Sequence, residues 1–306
     1  MTSQTFFQEL QRLILSHPKR PAQILNSENC EYGNYVYYAK NLYNCFDSGK
    51  STDGTYLFDT WNTANSADCD FTSESEKCYE CVDAFKCFNS NYLNDCGNTI
   101  DSFYSYDCTN CHDVFGCVRL KNKSFCIFNR QLTESEYRET VKKYQSLPAD
   151  KILQVVNSIM LTHPLAQIIG HDNENSPYGN YIYFNKNSYL CFDAAKNEYS
   201  GYLYDSHDNK YSYNVTQSGR SELSYEVTDS IDIFNCDYVV FSKNCIDSSY
   251  IFDCVDTKNC IGCVMLEHKQ YCILNRQFSK EDYERISRPL LETIRQANLG
   301  WDDLAY

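Results

Sequence analysis

Asp237-Tyr-Val-Val-Phe-Ser-Lys-Asn-Cys245, Ile246-Asp-Ser-Ser-Tyr-Ile-Phe-Asp-Cys254 and Val255-Asp-Thr-Lys-Asn-Cys-Ile-Gly-Cys263 follow one another without a break. Each segment closes on cysteine, and steps of nine carry the series from Cys236 to Cys272. Neither the 3.6-residue helical period nor the two-residue strand period produces such a ladder. Throughout the first half, from Cys30 and Cys45 to Cys126, every cysteine falls on a multiple of three, and in the second half, from Cys191 on, every one leaves remainder two. Asp recurs at the second place of the segment (Asp83, Asp101, Asp229, Asp247, Asp256), where a turn is expected. Stacked coils bring equivalent places into register, and cysteine suits an interior column as a small hydrophobe with a weak donor. The expectation is a mainly β chain: parallel β-solenoid coils of two nonapeptides, about 18 residues each, flanked by short α-helices.

Working outward, the pattern occurs twice. His17-Pro18 returns as His163-Pro164, Cys45-Phe46-Asp47 as Cys191-Phe192-Asp193, and Gly116-Cys117-Val118 as Gly262-Cys263-Val264, always 146 residues on. No insertion interrupts the match, so the chain reads as a tandem duplication with one unit over residues 1–146 and a second over 147–306. Phe6, Leu10, Leu13 and Ile14 share a helical face, as do Ile152, Val155, Val156 and Ile159. Thr133 with Glu136, and Ser279 with Asp282, mark the start of a closing helix in each unit. Helical caps are what an open-ended repeat array requires.

The chain has 306 residues with 27 Tyr, 17 Phe and 18 Cys, against 11 Gly and 6 Pro. Aromatic enrichment favours strands, and scarce Gly and Pro exclude a disordered or collagen-like chain. A net charge of −14 argues against direct nucleic-acid binding, which needs clustered Lys and Arg. Neither a signal peptide nor an apolar run long enough to span a bilayer is visible, so the reading is a cytoplasmic protein with reduced thiols.

The segment Asn122-Lys-Ser-Phe-Cys-Ile-Phe-Asn-Arg-Gln-Leu-Thr-Glu-Ser-Glu-Tyr137, its twin ending at Tyr283, and the opening Phe6-Phe-Gln-Glu-Leu10 with Asn26-Ser-Glu-Asn-Cys30 resemble a cysteine-rich repeat family of candidate-phyla bacteria. The resemblance implies a zinc ribbon ahead of the repeat. No paired Cys-x-x-Cys precedes Phe6, so that ribbon is missing here.

Candidate sites are few. Cys78-x2-Cys81 and Cys108-x2-Cys111 have the outline of a four-thiolate zinc or iron site, although a three-residue grid generates such pairs unaided. The repeated Asn129-Arg130-Gln131 and Asn275-Arg276-Gln277 either cap the last coil or form a shared binding groove. Tyr35, Tyr37, Tyr181 and Tyr183 form either a contact strip or inward stacks. Cys111-His112-Asp113 places neighbours on opposite faces, which argues against a working thiol–imidazole pair. No catalytic residues emerge and no cofactor is expected, zinc being the exception to test. The first functional reading is a non-enzymatic binding or scaffold protein for a protein partner, its oligomeric state open. The alternatives are a first-unit metal site and an acidic nucleic-acid mimic.

Overall fold

The computed structural model describes residues 1–18, 22–71, 76–82, 86–163 and 168–297. Asp83 lies outside them. The described residues form two sheets, of 13 and 12 strands, parallel except for the last strand of each, and four helices: α1 (Ser3–Ser16), α2 (Glu134–Gln145), α3 (Ala149–Thr162) and α4 (Lys280–Gln296). The strands pair with partners twelve residues away, as in Cys69↔Cys81, Phe103↔Phe115, Leu203↔Val215 and Val227↔Val239. This is the arrangement of a parallel β-helix with a twelve-residue coil. The eighteen-residue coil expected from paired nonapeptides is corrected accordingly.

The nine-residue ladder survives as a diagonal. A residue nine places on lies one coil later and one side back, and its carbonyl accepts the thiol proton. Cys96 Sγ lies 3.4 Å from the Ser105 carbonyl oxygen, and Cys236 Sγ and Cys254 Sγ lie 3.4 Å from those of Cys245 and Cys263. Sequence alone showed the diagonal step, because cysteine prefers it. The coil itself repeats Ser, Cys, Thr, Asn and aliphatic residues interchangeably and leaves no single-residue signature.

Each coil consists of four triplets. One residue per triplet points inward, and the next but one adopts a left-handed backbone: Asn98 (φ 51), Asp101 (φ 48) and Tyr104 (φ 55) follow in sequence. Asn and Asp fill about half of these positions, because a short polar side chain tolerates that conformation. No Val, Ile or Thr occupies any of them, as branching at Cβ makes the clash worse. The acidity of the chain is therefore partly conformational in origin. Many of its Asp residues are the turn-formers of the coil.

Inward positions carry small side chains that bridge coils. Ser51 Oγ donates to the Gly49 carbonyl and accepts from the Thr63 backbone N–H of the next coil at 3.3 Å. Ser66 does the same for Cys78, Ser90 for Ser102, and Ser200 for Ser212. In the second sheet an interior amide ladder runs through Asn173, Asn185, Asn197 and Asn209. Asn197 Nδ2 donates to Asn185 Oδ1 at 3.0 Å, and Asn197 Oδ1 accepts from both the backbone N–H and Nδ2 of Asn209 at 2.9 and 2.8 Å.

Both coil stacks end in the same device. Phe128 and Asn129, like Leu274 and Asn275, have successive positive φ values, a tight reversal that turns the last strand antiparallel. Thr133 then opens α2 with a complete capping box, and Ser279 caps α4 through the Asp282 N–H. His17 and His163 close α1 and α3 by donating Nδ1–H to the Leu13 and Ile159 carbonyls at 2.7 and 2.9 Å.

Packing divides the chain into Arg20–Leu165 and, separately, Met1–Lys19 with Ala166–Tyr306. The sequence repeat and the packing unit thus have different boundaries. Tyr137 and Val141 of α2 with Ile152 and Val156 of α3 cover Phe115, Val118 and Ile127. Phe6 and Leu10 of α1 with Leu290 and Ile294 of α4 cover Tyr250, Ile261 and Val264. Ring volume is redistributed between these caps. One cap holds Phe128 and Ile152, whereas the equivalent places in the other hold Leu274 and Phe6. A Cβ on Gly262 would sit 2.7 Å from the Phe6 ring and one on Gly116 closer still to the Phe128 ring, so glycine clears the same space for a ring in both stacks.

Replacing Asn98 by Val should cost about 1–2 kcal/mol in urea unfolding, and replacing it by Gly little. Equal stability of the Val and Gly variants would contradict the left-handed assignment. Asn197→Leu should be more damaging, on the order of 3–5 kcal/mol, because it strips partners from both neighbouring rungs of the buried ladder.

Candidate functional site

The inward columns are fully committed to packing, so functional groups must be sought on the outside of the coils. Two adjacent outer columns of each stack carry tyrosine. In Arg20–Leu165 the rings run Tyr32–Tyr43–Tyr56, with centroids 5.4 and 6.0 Å apart, and then Tyr79–Tyr92–Tyr104, at 5.6 and 4.6 Å. In the other unit they run Tyr178–Tyr189–Tyr202, at 5.4 and 5.8 Å, and Tyr225–Tyr238–Tyr250, at 5.6 and 4.3 Å. All six positions of one row recur 146 residues on in the other. Within each row the rings nearest the helices are covered and those farthest are open. Tyr32 is 72% exposed and Tyr178 57%, whereas Tyr250 is buried.

The rows are bordered by acid. The Tyr79 hydroxyl is held by Glu80, which pushes its ionisation up to about 12, and Tyr225 is shifted in the same direction by burial and by Glu226. These phenols are neutral donors at physiological pH. Elsewhere on the surface charges of both signs alternate along the stack, as in Glu174–Lys186 at 3.1 Å and Glu198–Lys210 at 3.5 Å.

The sequence-named tyrosines are not the exposed ones. Tyr35, Tyr37, Tyr181 and Tyr183 are half-buried, and Tyr37 donates to Gln23 Oε1. Sequence reading missed the true rows because they follow a twelve-residue register that alternates between neighbouring columns. The available signal was the six-fold recurrence of Tyr at the duplication offset.

The Asn-Arg-Gln clusters are mostly structural. Asn129 Oδ1 accepts the Val118 N–H at 2.8 Å and its Nδ2 donates to the Val118 carbonyl at 2.9 Å, and Asn275 repeats both bonds with Val264. Gln131 and Gln277 donate to the Ser124 and Gln270 carbonyls. Arg130 and Arg276 remain exposed.

Cys78, Cys81, Cys108 and Cys111 are all buried, but they do not converge. Thirty residues of a twelve-residue coil separate one pair from the other, so the pairs lie about 12 Å apart along the stack. A zinc ion binds thiolates at about 2.3 Å and cannot bridge that span. Among the described residues no group of three or more His, Cys, Asp or Glu side chains is placed to hold a metal ion. Cys111 points into the core, away from exposed His112; His112 instead meets Asp113 Oδ2 through Nδ1 at 3.1 Å and packs against the Phe125 ring, while Asp113 Oδ1 accepts from Arg138 at 2.8 Å.

All 18 cysteines are free, and only Cys30 is not fully buried. Burial pushes the Cys87, Cys117 and Cys254 thiols up to about 12. Cys260 is the exception, lowered by hydrogen bonds that begin with Cys263, whose own thiol is raised. No described helix is long and apolar enough to cross a membrane.

No family model and no curated protein matches the chain. Among solved structures, a UDP-N-acetylglucosamine O-acyltransferase from Moraxella catarrhalis RH4 is similar at 10% identity over 75% of this chain, with a TM-score of 0.10. The chain covers 65% of that enzyme. A UDP-N-acetylglucosamine acyltransferase from Campylobacter jejuni is similar at 9% identity over 88% of this chain and 81% of its own, with a TM-score of 0.09. At such scores the likeness carries no inference.

A thiol reagent at pH 8 should modify Cys30 quickly and the interior cysteines only after unfolding. Unfolded thiols ionise near about pH 8.5, while most of the folded ones are raised, so the folded state loses its advantage as pH climbs from about 8.5 towards 12. The thermal midpoint should therefore fall steadily above about pH 8.5, and a flat profile to pH 10 would refute the buried neutral thiols.

Proposed function

We propose that the chain is a non-enzymatic binding protein, built as two tandem β-solenoid units, whose tyrosine rows dock a protein partner in a reducing, cytoplasmic compartment. One observation supports this above others: the outer tyrosines recur six for six between the halves, at positions where the coil imposes no aromatic requirement. Seven of these twelve rings stand at left-handed positions, which elsewhere take mostly Asn and Asp and otherwise side chains as varied as Lys, Glu, Leu and Phe, so ring after ring along one edge reflects a demand from outside the fold. Exposed tyrosine supplies a large rigid contact with a polar tip and is enriched at interfaces. Glu80 and Glu226 beside the rings favour a partner with basic groups. The four-thiolate metal reading has no converging donors behind it, and the alternating Glu–Lys ladder does not favour a nucleic-acid mimic.

The test places a photo-crosslinking residue at Tyr56 and, as a control, at Asn98, and identifies what is captured in cells. The expected result is one protein captured from Tyr56 alone. With that protein purified, Tyr43→Ser combined with Tyr56→Ser should weaken binding at least tenfold, as central aromatic contacts do, with unchanged thermal stability. Equal capture from both positions, or unchanged affinity of the double variant, would sink the proposal.

A further inference from the structure

The helical cap formed by α1 and α4 borders an open cavity of about 530 Å³. Its floor is apolar, made by Leu13, Ile273, Leu274, Phe278, Ile286 and Leu290. Arg12 and Arg276 also line it, with Glu9 and Thr293. Arg12 is paired with Glu9 at 2.8 Å, while Arg276 makes no ion pair or hydrogen bond through its side chain among the described residues. Two guanidinium groups and one carboxylate give this lining a positive balance in a chain of net charge −14.

The other half of the duplication shows how such a place is closed. There Tyr144 of α2 packs on Phe115 and Phe128, with centroids 6.1 and 5.0 Å away. Their counterparts 146 residues on are Leu290, Ile261 and Leu274, so three rings become three aliphatic side chains. Phe6 of α1 fills only part of the lost volume, against Tyr250 and Gly262. Further changes run in the same direction. Thr140 and Lys143 become Ile286 and Pro289, which makes the wall apolar, and Ser158 corresponds to Arg12, which adds the second guanidinium.

We propose that this cavity binds a long-chain aliphatic carboxylate, with the alkyl chain among Leu274, Ile286 and Leu290 and the carboxylate on Arg276 and Arg12. Its volume lies within the range of small-molecule pockets, and an apolar wall with few convergent polar groups is their usual composition. A guanidinium matches a carboxylate in two parallel hydrogen bonds. This site is separate from the tyrosine rows, and its occupancy does not depend on a protein partner.

Calorimetric titration of the full chain with octanoate, decanoate and dodecanoate tests the proposal. Saturable binding at one site is expected, strengthening about tenfold for every two methylenes. Decyltrimethylammonium, with the opposite charge, should bind at least tenfold more weakly than decanoate. Arg276→Glu should weaken decanoate binding at least tenfold, and Leu290→Tyr, which restores the ring found in the other half, should abolish it. If Leu290→Tyr lowers the thermal midpoint, Ile286→Glu supplies the same test from the wall of the cavity. Absence of saturable binding, equal affinity for the cationic amphiphile, or affinity unchanged in Arg276→Glu and in the folded cavity variant would each overturn the assignment.

Discussion

The structure depends on keeping interior backbone groups satisfied inside a coil only twelve residues around. A left-handed residue in nearly every described triplet bends the chain enough to close that coil, and it leaves inward N–H groups to be met from the coil before. A serine, cysteine or asparagine one coil earlier supplies the acceptor, and its own proton goes to a carbonyl of its own or the following coil. An orphaned group in this dry interior would cost as much as several apolar contacts contribute. The thiols, hydroxyls and amides of the core therefore belong to the backbone's hydrogen-bond network as much as to its packing.

That constraint places the chemistry of the chain on its outside. Eighteen cysteines suggest metal or redox work when read as a list, yet all but Cys30 are buried, and most of the interior thiols are pushed towards their neutral form. The outer columns are free to vary, limited only by the intolerance of left-handed positions for branched side chains. Tyrosine recurring along one edge against that freedom is the feature on which the proposed docking surface rests, and Glu80 and Glu226 raise the ionisation of the Tyr79 and Tyr225 phenols beside them.

The two helical caps show how a duplication diverges while its coils do not. Each coil is fixed by its neighbours on both sides, so a change at one inward position disturbs two ladders. A cap has one free side. The ring of Phe128 is matched by Phe6 of the other cap, but that of Tyr144 is replaced by the smaller Leu290, and the cavity is what this exchange left unfilled. Divergence at the caps gives the second compact unit a recess of its own, without altering the coil register.

The duplication, the parallel β character, the inward cysteine columns and the capped helices at Thr133 and Ser279 were all legible in the sequence, because small inward residues and helix starts obey local rules. The coil length was not, since the strongest recurrence, cysteine every nine residues, follows the diagonal path of the thiol proton rather than the circumference of the coil. Nor could the tyrosine rows be read directly, because they cross between two columns that meet only when twelve-residue coils are stacked. Which helix closes which stack was decided by packing volume: the ring over Gly262 is Phe6 of α1, whereas the ring over the equivalent Gly116 is Phe128 of the closing turn, and no local pattern in either segment encodes that exchange.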